Sequence, residues 1–142
     1  MKPYLFVLTV ILGVAVASCS KRKDCGCAPP PPLANTQWKM VQYSGGYSGA
    51  SVDLATDQQH RLSFGFSNYT YIYNPSGTQT SGSYSSGPAP TGYENSFMIK
   101  FDKQMPVLGT GELVVIKNRN DSLVLVQSNI ADGYSYTLVR VR

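Results

Sequence analysis

The sequence predicts an all-β domain over residues 35–142, either a small antiparallel up-and-down barrel of about eight strands or a β-sandwich. Three observations predict it. Apolar residues alternate with polar ones in short segments from Asn35 onward. Those segments are parted by Gly, Ser, Asn and Asp clusters at roughly ten-residue spacing. No stretch sustains a helical period, and the apolar runs are dominated by β-branched and aromatic residues, which suit a pleated surface.

Taken in order, the first strand lies in Gln37–Tyr43, carrying Trp38, Met40 and Val41. Arg61–Phe66 sets Leu62, Phe64 and Phe66 on one face, and Tyr69–Tyr73 sets Tyr69, Tyr71 and Tyr73 on one face. Asn74-Pro75-Ser76-Gly77 is a turn, because proline presets the backbone angle its second position needs. Thr78–Tyr84 returns as a polar strand, and Ser85–Thr91 breaks the pattern with Gly87, Pro88 and Pro90. Asn95–Phe101 alternates again. Glu112–Lys117 and Ser122–Gln127 are apolar on both faces and flank the turn Asn118-Arg119-Asn120-Asp121, which reads as a well-buried hairpin. Asp132-Gly133 turns the chain into a last strand, Tyr134–Val141. The longest irregular stretches are Ser44–Ala50 and Ser85–Gly92, both rich in Gly and Ser, and such loops are where scaffolds of this kind carry binding.

Before this domain the text differs. Lys2 is followed by the apolar run Tyr4–Val16 and by small residues, the three parts of a secretory signal. The run is short of the ~20 residues that span a bilayer. Ala15-Val16-Ala17 suits ordinary signal peptidase, with a mature chain starting at Ser18. Val16-Ala17-Ser18-Cys19 resembles a bacterial lipobox, in which Cys19 becomes the lipidated, palmitate-bearing first residue. Ser20–Ala34 cannot fold: it holds Lys21, Arg22 and Lys23, then Cys25-Gly26-Cys27, then Pro29–Pro32. Prolines favour a stiff extended helix, so this spacer reaches at most ~55 Å. The division is therefore a signal peptide at 1–18, a lipidated basic and proline-rich tether at 19–34, and the barrel domain at 35–142.

Charge follows the same division. The formal net charge is +4, but from Asn35 onward eight Lys/Arg face seven Asp/Glu. A nucleic-acid binder concentrates positive charge on its folded part, so nucleic acid is not an expected partner. The basic tether suits anionic head groups, or is simply a solvated linker.

Asn35-Thr36-Gln37-Trp38, with Arg140 and Arg142 in the final strand, resembles the small lipocalin-like lipoproteins of double-membraned bacteria. The resemblance implies an eight-stranded barrel that begins with a Trp-bearing strand, and a terminal arginine stacked on Trp38. It covers about residues 35–142. Thr36 departs from it, standing where lipocalins carry glycine. A lipoprotein with Ser20 rather than aspartate after its cysteine, and without an acidic run, is expected at the outer membrane on its periplasmic face.

Chemistry is sparse. Cys25 and Cys27 lack nearby third and fourth ligands for zinc or copper, so they read first as inert thiols or a local disulfide, with an intermolecular bridge or a metal pair as the alternatives. His60 lies among Gln58, Gln59 and Arg61 and reads as a surface histidine. No Gly-x-Ser-x-Gly elbow occurs, and the carboxylates are scattered near turns. No enzyme, metal or cofactor is expected. The remaining signal is aromatic: Trp38, Phe64, Phe66, Tyr69, Tyr71, Tyr73, Tyr134 and Tyr136 would line a site for a small apolar or amphipathic ligand. The same rings would fill a small barrel, and the limited interior of eight strands favours that use of them. Hence two functions are expected, ligand binding in the barrel or a filled interaction domain whose Gly/Ser/Tyr loops contact an envelope protein or a glycan.

Overall fold

The computed structural model describes residues 32–74, 76–109, 111–119, 121–128 and 130–142. The lipobox with Cys19, the basic cluster Lys21–Lys23 and the thiols Cys25 and Cys27 lie outside the described residues. Nine strands follow in chain order: β1 Thr36–Ser44, β2 Ser51–Asp53, β3 Arg61–Phe64, β4 Asn68–Tyr73, β5 Thr78–Pro88, β6 Phe97–Phe101, β7 Glu112–Arg119, β8 Ser122–Gln127 and β9 Ser135–Arg140. From β3 to β9 each strand pairs antiparallel with the next, and β1 pairs with both β3 and β9. β1 and β3–β9 thus close into an eight-stranded up-and-down barrel, and β2 is an extra strand.

β2 and β3 share one edge of β1. The chain leaves that edge after β2, makes a 3-10 turn at Thr56–Gln58 and returns. Leu54 N donates to Val41 O at 2.8 Å and Met40 N to His60 O at 2.8 Å, so both feet of the excursion are bonded to β1. Two rims result. The proximal rim carries the N-terminal residues 32–35, the β3–β4, β5–β6 and β7–β8 turns and the C-terminus. The distal rim carries residues 45–60, 74–77, 102–111 and 128–134. Ser44–Ala50 and the β5–β6 loop therefore sit at opposite rims.

Alternation delivers Trp38, Met40, Leu62, Phe64, Tyr69, Tyr71, Ile99, Leu113, Leu125 and Leu138 to a single core, as the period of two requires. Val114 is also fully buried, although it points away from that core between Met98 and Val126. The β7–β8 hairpin is covered on both faces at this point, as its sequence predicts.

Two strand boundaries and one histidine differ from expectation. β5 runs on through Ser85, Gly87 and Pro88, pairing with β6. Its outer face is exposed and asks nothing of the side chains, and Pro88 ends the strand, where a missing donor does not interrupt the ladder. β3 stops at Phe64, because Gly65 N bonds Asn68 O at 2.8 Å and closes a tight turn. Phe66 lies in that turn, 62% exposed, instead of on the core face.

His60 is buried, at 4% exposure, and not on the surface. Its ring stacks on Tyr73 at 4.9 Å, and its Nδ1 accepts a hydrogen bond from Asn74 N at 3.2 Å. Asn74 Nδ2 in turn donates to Gln59 O at 2.8 Å. The polar neighbours in sequence misled because the excursion after β2 folds the ring back against β4. Burial lowers the His60 pKa below its ordinary 6.5. The unfolded chain then binds the proton more readily, so stability is full above pH 6.5 and falls as pH drops toward the lowered folded value. Urea midpoints measured between pH 6.5 and the onset of carboxylate titration should decline in the wild type and stay flat in His60→Asn. An equal decline in both proteins would assign the effect elsewhere.

Closure is sealed by Trp38. It pairs with Leu62 on one side and Arg140 on the other, with the Arg140 Cζ 6.0 Å from the ring centroid, at the outer reach of a cation–π contact. The indole Nε1 donates to Thr36 Oγ1 at 2.8 Å, and that hydroxyl donates to the Leu33 carbonyl. Leu33, placed by the sequence in a tether that cannot fold, is instead buried in the core and stops the proximal mouth, because an apolar side chain just ahead of β1 can turn into the barrel. Thr36, the residue that departs from the lipocalin pattern, therefore satisfies a buried donor. Thr36→Val should cost about 1–3 kcal/mol by orphaning the indole N–H. In a domain of this size that lowers the melting temperature by roughly 4–8 °C per kcal/mol, whereas Thr36→Ser should stay near wild type.

Candidate functional site

The aromatic residues singled out in the sequence separate into three groups. Trp38, Phe64, Tyr69, Tyr71 and Tyr136 belong to the core. Tyr73 is half-buried beside His60, and Tyr134 is partly exposed at the distal rim, stacked on Tyr136 at 6.3 Å and edge-on to Tyr43 at 6.3 Å. Phe66 stands apart at the proximal rim. The rings do not line one cavity. Phe64, Tyr69, Tyr84 and Phe101 pack against each other, with centroids 4.7 Å apart for Tyr69 and Phe101 and 5.0 Å for Phe64 and Tyr84.

What the tyrosines hold is the 102–109 loop, which the sequence did not single out. Its Met105 and Leu108 are buried in the core and stop the distal mouth. Tyr71 Oη donates to Pro106 O at 2.7 Å, and Tyr136 Oη donates to Val107 O at 2.7 Å. Gln127 Nε2 reaches both Leu108 O, at 3.2 Å, and Tyr136 Oη, at 3.0 Å. Gln127 Oε1 also accepts from Tyr134 N at 3.0 Å, which ties the β8–β9 loop into the same network. Within the loop, Gly109 N bonds Met105 O at 3.0 Å, forming a tight bridge. This geometry puts Val107 at φ 70°, where a β-branched side chain is strained. Holding such a residue costs on the order of 1–3 kcal/mol, which the surrounding hydrogen bonds must offset.

The phenols donate because they are neutral. Burial pushes the Tyr71 and Tyr136 hydroxyls well above their ordinary 10.0, with a neighbouring tyrosine adding to each. Tyr69 is the exception: its buried Oη has no hydrogen-bond partner among the described residues. Burial raises its pKa first and the Asp102 carboxylate second, so that carboxylate lies close to the hydroxyl. Asp102 in turn lies over Gly82, where a Cβ would come within 2.1 Å of its Oδ1, so this approach requires glycine.

Outside the core, a 690 Å³ cleft opens at the proximal rim, between residues 94–96 and the β7–β8 hairpin where it extends past β6. Its floor includes Phe97 and Val124, and Lys117 and Arg119 stand on its wall. Comparison of the chain with protein-family models, with curated proteins and with solved structures finds no match. The site is therefore argued from its own geometry. Among the described residues no three His, Cys, Asp or Glu side chains converge as metal ligands.

Tyr69, Tyr71 and Tyr136 should respond differently to loss of the hydroxyl. Tyr71→Phe and Tyr136→Phe should each cost about 1 kcal/mol and speed hydrogen exchange in residues 102–109. Tyr69→Phe, which removes an unpartnered hydroxyl, should be neutral or stabilising. Wild-type stability should also fall as pH rises past 10.0, since the unfolded phenols ionise there while the buried ones resist. Urea titration at neutral and alkaline pH checks both signs.

Proposed function

We propose that this chain is a lipid-anchored, non-enzymatic envelope module, a filled barrel that acts through its outer surfaces and loops. The observation that carries the choice over a ligand carrier is that both barrel mouths are stopped from within the chain. Leu33 occupies the proximal one, and Met105 and Leu108 the distal one. An eight-stranded barrel has room for its side chains or for one small ligand, and here the side chains take the space. The rings proposed as a ligand lining are engaged with each other and with residues 106–108. A lipid on Cys19 would hold the module at the outer membrane, with the basic, proline-rich tether as spacer. The envelope partner is then met by the exposed loops, of which residues 45–50 present a fully exposed Tyr47 between glycines.

Radiolabelled palmitate should enter the wild-type chain and not Cys19→Ala. Native mass spectrometry of the detergent-extracted protein should give the mass of protein plus anchor and nothing more. Label retained by Cys19→Ala would overturn the anchor, and a stoichiometric lipid-like mass beyond the anchor would restore the ligand carrier.

A further inference from the structure

Charge is not spread evenly over the barrel. The proximal rim carries Lys117, Arg119, Arg140 and Arg142 against Glu94 and Asp121. The distal rim carries Asp53, Asp57, Asp102 and Asp132 against Arg61 and Lys103. The folded domain is nearly neutral as a whole, yet its two ends have opposite sign. The four proximal cations are all exposed, and among the described residues only Arg142 of the four is engaged in an ion pair, with Asp121 at 2.7 Å.

The proximal end is also where the N-terminal chain arrives. Asn118 Nδ2 donates to Pro32 O at 3.4 Å, which fixes the entry beside β7. The 31 residues before Pro32 lie outside the described residues and include Lys21, Arg22 and Lys23. From Cys19 to Pro32 the chain reaches at most about 45 Å. Two apolar side chains are exposed on the same rim, on opposite sides of the ring: Phe66, 62% exposed in the β3–β4 turn, and Ile116, 46% exposed in the β7 bulge next to Lys117. They share the rim with Arg142, because Thr36 pairs with Phe64 on one side of β1 while Val141 N donates to Gln37 O at 2.8 Å on the other. A rim that carries exposed basic residues and an exposed aromatic ring suits a surface that meets anionic head groups and inserts the ring at the interface.

We infer that the proximal rim is a membrane-docking face, which rests Lys117, Arg119 and Phe66 on an anionic lipid surface and points the acidic distal rim outward. The occupant is a bilayer rather than a protein because the rim's charge complements anionic head groups and continues the positive charge of the tether that leads into it. The cleft between residues 94–96 and the β7–β8 hairpin is lined by Lys117 and Arg119 against the single carboxylate of Glu94, with Phe97 and Val124 among its apolar lining. The distal rim also exposes apolar side chains, Tyr47, Val52, Val107, Ile130 and Tyr134, but its carboxylates are repelled by the same surface. Anchoring by Cys19 would deliver this face to the bilayer; the inference rests on the proposed anchor for delivery, while the rim's own affinity stands separately.

The test uses the processed protein purified from the envelope, carrying Phe66→Trp, on vesicles of phosphatidylcholine with or without phosphatidylglycerol, both containing brominated-chain lipid. The Phe66→Trp emission should be lost in the anionic vesicles and recovered in high salt, and Tyr47→Trp should keep its emission throughout. Adding Lys117→Gln and Arg119→Gln should weaken docking about fivefold per neutralised residue. Ile116→Trp is a second reporter on the same rim. Both proximal reporters unquenched on anionic vesicles, quenching at Tyr47→Trp instead, or quenching indifferent to the two neutralisations would each overturn the inference. The mass of the purified protein separates the two proposals. If Cys19 carries no lipid the anchor fails, and quenching of that unlipidated protein still decides the docking face.

Discussion

The pairing of β1 with β9 is the constraint on which the rest of this structure depends. Once those strands meet, the sheet has no free edges in its ring, and the interior is a fixed, narrow space that eight strands enclose. Trp38 sits in that seam and occupies a large share of the space, which commits the barrel to a packed interior. Its indole N–H then needs an acceptor in a place water does not reach, and Thr36 supplies one while tying down Leu33. Closure, filling and sealing of the proximal mouth are thus one linked arrangement of three residues.

The distal mouth is sealed by a different device. Long tyrosines reach along the barrel from β4 and β9, burying their rings and bonding the 102–109 loop with their hydroxyls. A phenylalanine at Tyr136 would fill the same volume and take the donor from Val107 O, and one at Tyr71 would leave Pro106 O with only its bond from Leu108 N, at 2.9 Å. Two of the ten tyrosines, Tyr71 and Tyr136, are used in this way, as buried rings with polar tips rather than as a ligand lining. The strained Val107 and the unpartnered Tyr69 hydroxyl mark where the fit is least complete.

Much of the fold was legible in the sequence. Alternation located β3, β4 and β6, and the lipocalin-like resemblance implied a terminal arginine, Arg140 or Arg142, on Trp38; the structure places Arg140 there. Boundaries that depend on tertiary pairing were not legible: Ser85–Pro88 looks irregular, and only its match to β6 makes it a strand. His60 was misjudged because its polar neighbours belong to an excursion whose return path is set by contacts with β1 and β4. The candidate site was legible as residue types and not as arrangement. Tyr69, Tyr71 and Tyr136 were found by pattern, but their purpose depends on Met105 to Gly109, a stretch of Pro, Val, Leu and Gly with no periodic signal. The separation of charge between rims is likewise invisible in a chain whose folded part is nearly neutral.

Closure of the ring is tested most directly by hydrogen exchange of the individual amides in β1 and β9. The amides bonded between these strands should exchange only by global unfolding, with the same free energy as those of the β7–β8 hairpin and the same dependence on denaturant. Amides of β2, outside the ring, should exchange faster. If the β1–β9 amides exchanged through a local opening while β7 and β8 remained protected, the sheet would have a working edge there. The account of a closed, filled barrel would then be wrong.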